Sequence, residues 1–413
     1  MKTINASLAP IPQWWEQRAC MRRFILDLIV SELTLLRPGG LVAVPSDGSA
    51  SIRLVEDLAV DSLEMLSVAG ALAEALHLHE SGIEDFLLVH PSVDDWVDVC
   101  QRGLRSYSAT LTFRTSGSTG TAKRCTHSLA NLWQEVVELA PLFSGRQRIL
   151  TAVPSHHIYG FIFTILLPHA LGISESPIGD LRMSSAASLA NQSREGDLII
   201  GHPEYWRSVS SALRSIPNSL QGVTSTAACP AELSDALLGS GLVALMQIYG
   251  SSETAGVGWR ANAAEPYKLF SYWARADSSS EMFVRSEADK GETCFPCQDV
   301  LEWVDDRSFY PVGRADGAVQ IAGINVFASN VRRVLMEHPE IADASVRLMR
   351  PDEGVRLKAF VVPLDPSGIG ELRTSLELWL RDRLTSLELP KAITFGASLP
   401  KNEMGKCMDW IIA

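Results

Sequence analysis

Four short apolar runs, "ATLTFRT", "RILTAVP", "DLIIGHP" and "VALMQIYG", recur after about residue 104, with helical stretches such as Leu129 to Leu142 between them. Alternation of this kind is the sequence form of an α/β sheet domain, so it narrows the fold more than any other feature. After Gly313 the pattern shortens. A strand-like "AVQIAGINV", a helix from about Ser329, two further strands including "RLKAFVVP" and a helix from about Glu371 to Leu384 read as a separate α+β domain, hinged near "GRADG". No internal repeat is visible.

The first hundred residues differ. In "RRFILDLIVSELTLL" (22–36) apolar side chains fall at 24, 25, 28, 29, 33 and 36, a helical stripe closed by Pro38-Gly39-Gly40. Leu63, Leu66, Gly70, Ala73 and Leu76 repeat the spacing after a start signal at Asp61, and "PSVDDWVDVC" begins a third helix. Little strand character is present, which predicts a small helical bundle. Length supports this partition, since 413 residues suffice for two or three domains.

A net charge of −12 argues against general affinity for nucleic acid or anionic membranes, and points to small ligands or protein partners. The longest apolar segment, Ile158 to Leu167, is too short to span a bilayer, and the N-terminus lacks a signal-peptide run. The expectation is a soluble cytoplasmic protein. Of seven cysteines only Cys294 and Cys297 ("CFPC") are close, and two reduced thiols near a turn explain them more simply than zinc or redox chemistry.

The segment "RTSGSTGTAK" (114–123) is a candidate anion cradle. Its glycines let backbone N–H groups converge, and hydroxyls and a lysine add donors and charge. Gly117, Gly120 and Lys123 are three apart, unlike the spacing of a P-loop, which disfavours a P-loop NTPase.

"TSGSTGTAK" followed by "HSLANL" resembles the phosphate loop of the adenylate-forming superfamily of acyl- and aryl-CoA synthetases, luciferases and adenylation domains. Later motifs agree in order. "VPSHHIYGF" looks like the Pro-x-x-His-x-x-Gly segment at Pro154, His157 and Gly160, and "STAACP" like the adenine strand at Ala227 and Ala228. "QIYGSSETAG" is similar to the Tyr-Gly-x-Thr-Glu motif, with Tyr249, Gly250, Ser251, Ser252 and Glu253. "CQDVLEW" falls where the family has Thr-Gly-Asp, with Gln298 for the glycine and Asp299 for the aspartate; "VGRADG" resembles the hinge. "IAGINVFASNVRRVL" looks like the phenylacetate-CoA ligase branch, and "LPKNEMGK" like the motif of the mobile lysine. The resemblance covers about residues 104–413.

It implies a truncated large sheet domain, a small mobile α+β C-terminal domain, and use of ATP and Mg²⁺ to convert a carboxylic acid into its acyl-AMP. Thr115, Ser116, Gly117, Ser118, Thr119, Gly120 and Lys123 would cradle the β- and γ-phosphates. Glu253 would hold the metal, Tyr249 would stack on adenine, and Asp299 would accept from the ribose, with Arg314 near the nucleotide. Lys406 would sit between carboxylate and α-phosphate, Asp316 would be the hinge, Gly323 would line a thiol tunnel, and His157 would gate the acyl pocket from it. Catalysis would be positioning plus electrostatics, without a protein nucleophile. Tyr159, Phe161, Tyr205 and Trp206 could line an aromatic slot or be core.

The N-terminal segment has its own resemblance. "EDLAVDSLEML" (56–66) is similar to the Asp-Ser-Leu motif of acyl carrier proteins, which would place phosphopantetheine on Ser62; Asp61 and Glu64 also read as a capping box that explains the same residues locally. The expected domains are a tail over 1–18, a carrier-like bundle over 19–103, an adenylation domain over 104–313 and a mobile domain over 314–413. The leading expectation is transfer of a hydroxybenzoate-type aryl acid to an acyl carrier protein, as in ligases of aryl polyene and xanthomonadin pigment pathways. An aryl- or fatty acyl-CoA ligase differs only in the thiol acceptor; a basic patch reading the 3'-phosphate of CoA would favour it, and the surface around the hinge, with Arg332 and Arg333, leaves that choice open. A non-catalytic carrier-docking protein is the alternative from another class.

Overall fold

The apolar stripe near the N-terminus folds as helix α1 (Arg18–Leu36), burying Met21, Phe24, Ile25, Leu28, Ile29 and Leu33, with Asp27 on the same buried side. Helix α2 (Ser62–Leu76) starts at a capping box. The Asp61 carboxylate accepts from the amides of Leu63 (2.8 Å) and Glu64 (2.9 Å), and the Glu64 carboxylate accepts from the Asp61 amide at 3.0 Å. Such a cap contributes about 1 kcal/mol. Helix α3 (Val93–Ser106) completes the region.

The computed structural model describes residues 10–37, 42, 44, 51–90, 92–115, 123–217, 219–277, 282–288, 291–314, 318–321, 324–350, 352–400 and 408–412. The chain divides into a larger unit, Met1–Thr115 with Arg124–Val312, and a smaller one, Gly313–Ala413 together with the segment that ends at Lys123.

Two expectations for the N-terminal helices need correction. The stripe read on α2 is not its buried face: Leu63 and Leu66 are exposed, while Val68, Ala69, Leu72, Ala75 and Leu76 are buried. Apolar residues surround this helix, so packing against α1, rather than periodicity, selects the face. Nor do the helices form a bundle with a core of its own. Trp14 and Phe24 meet Phe161 at ring separations of 5.0 and 5.9 Å, and Phe113 meets it at 5.5 Å, within one continuous core that extends to Phe309. The stripe of α1 is covered partly by the sheet domain.

Strands β1 (Thr110–Thr115) and β2 (Lys123–Ser128) form a two-stranded sheet, and helix α4 (Leu129–Leu139) follows. The main sheet holds β3 (Arg148–Thr151), β4 (Gly179–Asp180), β5 (Asp197–Gly201), β6 (Gln221–Thr224), β7 (Ala244–Ser251), β8 (Ala255–Arg260) and β9 (Tyr267–Leu269). Strands β10 (Trp273–Arg275), β11 (Met282–Glu287) and β12 (Gly291–Pro296) make a separate antiparallel sheet. Strands β13 (Asp299–Asp305) and β14 (Ser308–Arg314) complete the main sheet in the order 13-14-9-8-7-6-5-3-4. Within it β3, β5, β6 and β7 run parallel, and β7 to β8 is the turn to antiparallel pairing. Ligands of open α/β sheets bind beyond the carboxyl ends of parallel strands.

In the smaller unit "AVQIAGINV" is a hairpin of β15 (Val319–Ile321) and β16 (Ile324–Val326), not one strand. Helix α5 (Ala328–Met336), β17 (Ile341–Leu348), β18 (Leu357–Pro363), helix α6 (Ile369–Arg381) and β19 (Ala392–Phe395) follow, with β17-β18-β19 as the sheet. Val331, Leu335, Ala344, Ala359, Val361 and Leu376 are in its core. No described helix is long and apolar enough to cross a membrane.

Candidate active site

Of the candidate residues of the larger unit, His157 follows β3, Ala227 and Ala228 follow β6, Tyr249 to Ser251 end β7 with Ser252 and Glu253 just after, and Asp299 opens β13. Gly250 sits at a register shift where β7 turns towards β8. A Cβ there would lie 2.1 Å from the Ala255 carbonyl oxygen, so only glycine lets the chain cross at this point. Such a bulge redirects neighbouring side chains. Tyr249 is half-buried against Phe309, at 5.0 Å, and its hydroxyl donates to Asp299 Oδ2 at 2.6 Å. Residues 50 positions apart are thereby joined, placing an aromatic face beside a carboxylate, a pairing suited to a nucleoside.

The turn carrying Glu253 is held from below. The Ser251 amide donates to Thr254 Oγ1 at 3.1 Å, and the Thr254 amide donates back to Ser251 Oγ at 3.3 Å. His127, on β2, donates from Nε2 to the Ser252 carbonyl at 2.7 Å. Burial holds this imidazole down to about 4, so it is neutral when it does so. Arg285 donates to the carbonyls of Thr254 (3.1 Å) and Asn131 (2.7 Å). The contacts to Ser251, Ser252 and Thr254 fix the base of the turn, Arg285 links it to α4 through Asn131, and Glu253 is half-buried.

Beneath lies Glu135, fully buried on α4, whose Oε2 accepts from the Gly256 amide at 2.9 Å. Burial raises its carboxyl to about 7, against the opposing pull of Arg285 and that hydrogen bond. Trp273 Nε1 donates to the Gly256 carbonyl at 2.7 Å, completing the clamp. Ser225 Oγ donates to the Ile248 carbonyl at 2.9 Å, tying the loop with half-buried Ala227 and exposed Ala228 to β7.

On the acid side, Gly160 allows the helix after β3 to pack on its own loop, since a Cβ would meet the Pro154 carbonyl oxygen at 1.9 Å. Buried Asp27 of α1 fixes that loop. It accepts from Ser155 N (2.7 Å) and Oγ (2.6 Å) on one oxygen and from Arg182 (2.6 Å) on the other. The next two residues are His156 and His157, with rings 4.1 Å apart. His157 is exposed, and desolvation by the protein around it lowers its pKa. Among the described residues, both ring nitrogens of His156 and the Tyr205 hydroxyl are buried without a hydrogen-bond partner.

The aromatic residues divide. Phe161 and Trp206 are fully buried core, Trp206 donating to the Val223 carbonyl at 3.0 Å, and Tyr159 is tied to the Gly201 carbonyl at 2.9 Å. Arg332 and Arg333 do not form an unpaired basic patch: Arg332 donates to the Ala344 carbonyl (2.7 Å) and Asp343 (3.0 Å), and Arg333 pairs with Glu337. Ser62 is exposed at the first turn of α2. Lys123 opens β2; Ser116, Gly117, Ser118, Thr119, Gly120, Asp316, Gly323 and Lys406 lie outside the described residues, as do the side chains of Thr115 and Arg314. In the smaller unit, fully buried Lys358 donates to Glu353 (2.6 Å) and to the Trp410 carbonyl (2.7 Å) and pairs with Asp409 (2.9 Å). The Met408 amide donates to the Pro400 carbonyl at 2.8 Å, bracketing residues 401–407.

Asp27, His127, Glu135, Arg285 and Lys358 were not anticipated from sequence. A readable signal existed for two: Asp27 interrupts an apolar stripe, and Glu135 sits among Leu132, Val136 and Leu139 on α4.

Residues 96–285 match the AMP-binding enzyme family, and residues 331–406 match the AMP-binding enzyme C-terminal domain. The chain is 36% identical over 389 residues to a 4-coumarate–CoA ligase of Halorhodospira halophila, covering 93% of this chain and 97% of that protein. It is 32% identical over 426 residues to another of that name from Cereibacter sphaeroides, covering 99% and 100%. In fold it is similar to the amide bond synthetase McbA from Marinactinospora thermotolerans, with TM-score 0.57, 16% identity, and coverage of 94% of this chain and 92% of that one. The chain belongs to the AMP-binding enzyme family and is an adenylate-forming acid–thiol ligase.

Proposed function

We propose that the protein activates an aryl carboxylic acid of the 4-coumarate class as its acyl-AMP and transfers the acyl group to coenzyme A. The observation that carries this reading is near full-length similarity to 4-coumarate–CoA ligases, which includes the N-terminal helices. It moves the expected acceptor from a carrier protein to CoA, and the expected acid from a hydroxybenzoate to a hydroxycinnamate.

A carboxylate is a poor acyl donor because oxide is a poor leaving group; its oxygen attacks the α-phosphate and displaces pyrophosphate, and the thiol then attacks the acyl carbon with AMP as the leaving group. Tyr249 and Asp299 fit the nucleoside: the ring offers a stacking face, and the carboxylate can accept from ribose hydroxyls while keeping the Tyr249 bond. Glu253, on its braced turn, offers a hard oxygen ligand of the kind Mg²⁺ takes. Mg²⁺ would supply charge neutralisation at the phosphates. Lys123, the loop before it and Lys406 would add cationic and N–H donors to the same charge. His157, its pKa lowered by desolvation, would stand between acid and thiol.

The test is acid-dependent pyrophosphate exchange with ATP and Mg²⁺, comparing 4-coumarate, cinnamate, hydroxybenzoates and fatty acids, followed by thioester formation with CoA or a phosphopantetheinylated carrier protein. Exchange strongest with 4-coumarate and a CoA thioester are expected. A carrier thioester alone would restore the pigment-starter reading, and phosphopantetheine found on Ser62 would make the N-terminal helices the carrier. Exchange with none of these acids would sink both.

A further inference from the structure

We propose that His77, His79 and Glu80 form a binding site for a divalent transition-metal ion of the zinc type, distinct from the Mg²⁺ that accompanies ATP. A nitrogen or oxygen from each lies within 4.8 Å of the other two. Tetrahedral zinc with bonds of about 2.0–2.1 Å needs its ligand atoms about 3.3 Å apart. His79 Nε2 and Glu80 Oε1 are at 3.6 Å, close to that spacing, and both side chains are exposed and can close the rest. Two imidazoles and one carboxylate suit zinc, nickel or copper rather than magnesium.

Three further features favour the cation. His77 caps the C-terminus of α2, where the helix presents its partial negative charge. The short 3₁₀ turn Leu78–Ser81 then keeps residues 79 and 80 beside it, with the rings of His77 and His79 5.3 Å apart. His77 is also oriented by a buried partner: its Nε2 meets Thr112 Oγ1 at 2.9 Å, and Thr112 Oγ1 meets Thr126 Oγ1 at 2.7 Å. With Nε2–H donating to Thr112 and the Thr112 hydroxyl donating to Thr126, Nδ1 is the nitrogen left to coordinate. Metal-bound imidazoles are commonly held by such a partner on the second nitrogen.

Thr112 lies three residues before Thr115 on β1, and Thr126 three after Lys123 on β2. An ion here would therefore fasten the end of α2 to the strands that bracket the phosphate loop, as a structural clamp.

The test is zinc titration by calorimetry on the chelator-treated full chain, carrying Cys294→Ser and Cys297→Ser so that thiols do not compete. One zinc per chain is expected, with a rise in melting temperature of about 2–5 °C. His79→Ala should weaken binding at least about tenfold and Thr112→Val about tenfold, while the metal-free melting temperature of His79→Ala stays that of the parent because this side chain is exposed. Absence of stoichiometric zinc, or binding that survives both His79→Ala and Glu80→Gln, overturns the site.

Discussion

Each unit contains a buried cation, and the two are satisfied by opposite means. Arg285 in the larger unit is met by neutral groups: two backbone carbonyls and the ring faces of Tyr272 and Trp273 at 4.6 and 5.3 Å. Lys358 in the smaller unit is met by carboxylates, Glu353 and Asp409, with the Trp410 carbonyl as third partner. The consequence shows in the neighbouring acids. Beside Arg285, burial prevails and raises Glu135 to about 7; beside Lys358, the ammonium prevails, lowering Glu353 to about 2 and Asp409 as well. A guanidinium can be solvated by dipoles spread over its fork, whereas a compact ammonium needs counter-charge.

The largest effect should come from removing the ammonium. Lys358→Met releases Trp410 from β18 and leaves Glu353 and Asp409 with Arg350 as their remaining cation. Breaking a buried ion pair from one side costs about 4 kcal/mol, so the smaller unit should melt well before the larger, seen as an early calorimetric transition. Adenylation should fall with it. A variant that melts as a single transition at the parental temperature would mean that the carboxylates have other partners of equal strength.

Glu135→Gln gives the next effect, and it is one of slope. The unfolded carboxyl titrates near 4.5 and the folded one near 7. Between those values the folded state holds a proton that the unfolded state has released, so this group's contribution is complete below about 4.5 and is lost as pH rises to about 7. The loss is about 3 kcal/mol at most. Glutamine keeps an oxygen for the Gly256 amide but cannot ionise, so the difference in stability between the two proteins should drift across that window and flatten above it. A pH-independent difference would show that Glu135 is ionised throughout, as the acids beside Lys358 are.

This contrast was not legible in the sequence, although much around it was. The α/β alternation was readable because buried strands are uniformly apolar, and the order of motifs was readable because backbone geometry demands particular residues: Gly160 over the Pro154 carbonyl, Gly250 at the bulge. The face of α2 was hidden because apolar residues on several sides leave the choice to tertiary contacts. Arg285 and Lys358 were hidden for a different reason. A lone Arg or Lys in a strand reads as a solvent-facing residue, and the partners that make burial tolerable, Asn131 and Thr254 for one, Glu353 and Asp409 for the other, are distant or local in ways that spacing does not reveal.

The smallest effect tests why the cation under the Glu253 turn is arginine. Arg285→Lys keeps the charge but offers one nitrogen where the fork spans the carbonyls of Thr254 and Asn131. One of those carbonyls is then left without its donor inside the protein, at about 1–2 kcal/mol. If it is Thr254, the turn loosens and Glu253 is less well placed, so kcat/KM for ATP in pyrophosphate exchange should fall about tenfold, with KM for the acid unchanged. Global stability should drop by the same modest amount. Unchanged exchange with reduced stability would assign Arg285 to the core alone and leave the turn to His127 and the Ser251–Thr254 pair. A fall in exchange rescued by neither salt nor pH would tie the buried arginine to the position of the carboxylate above it.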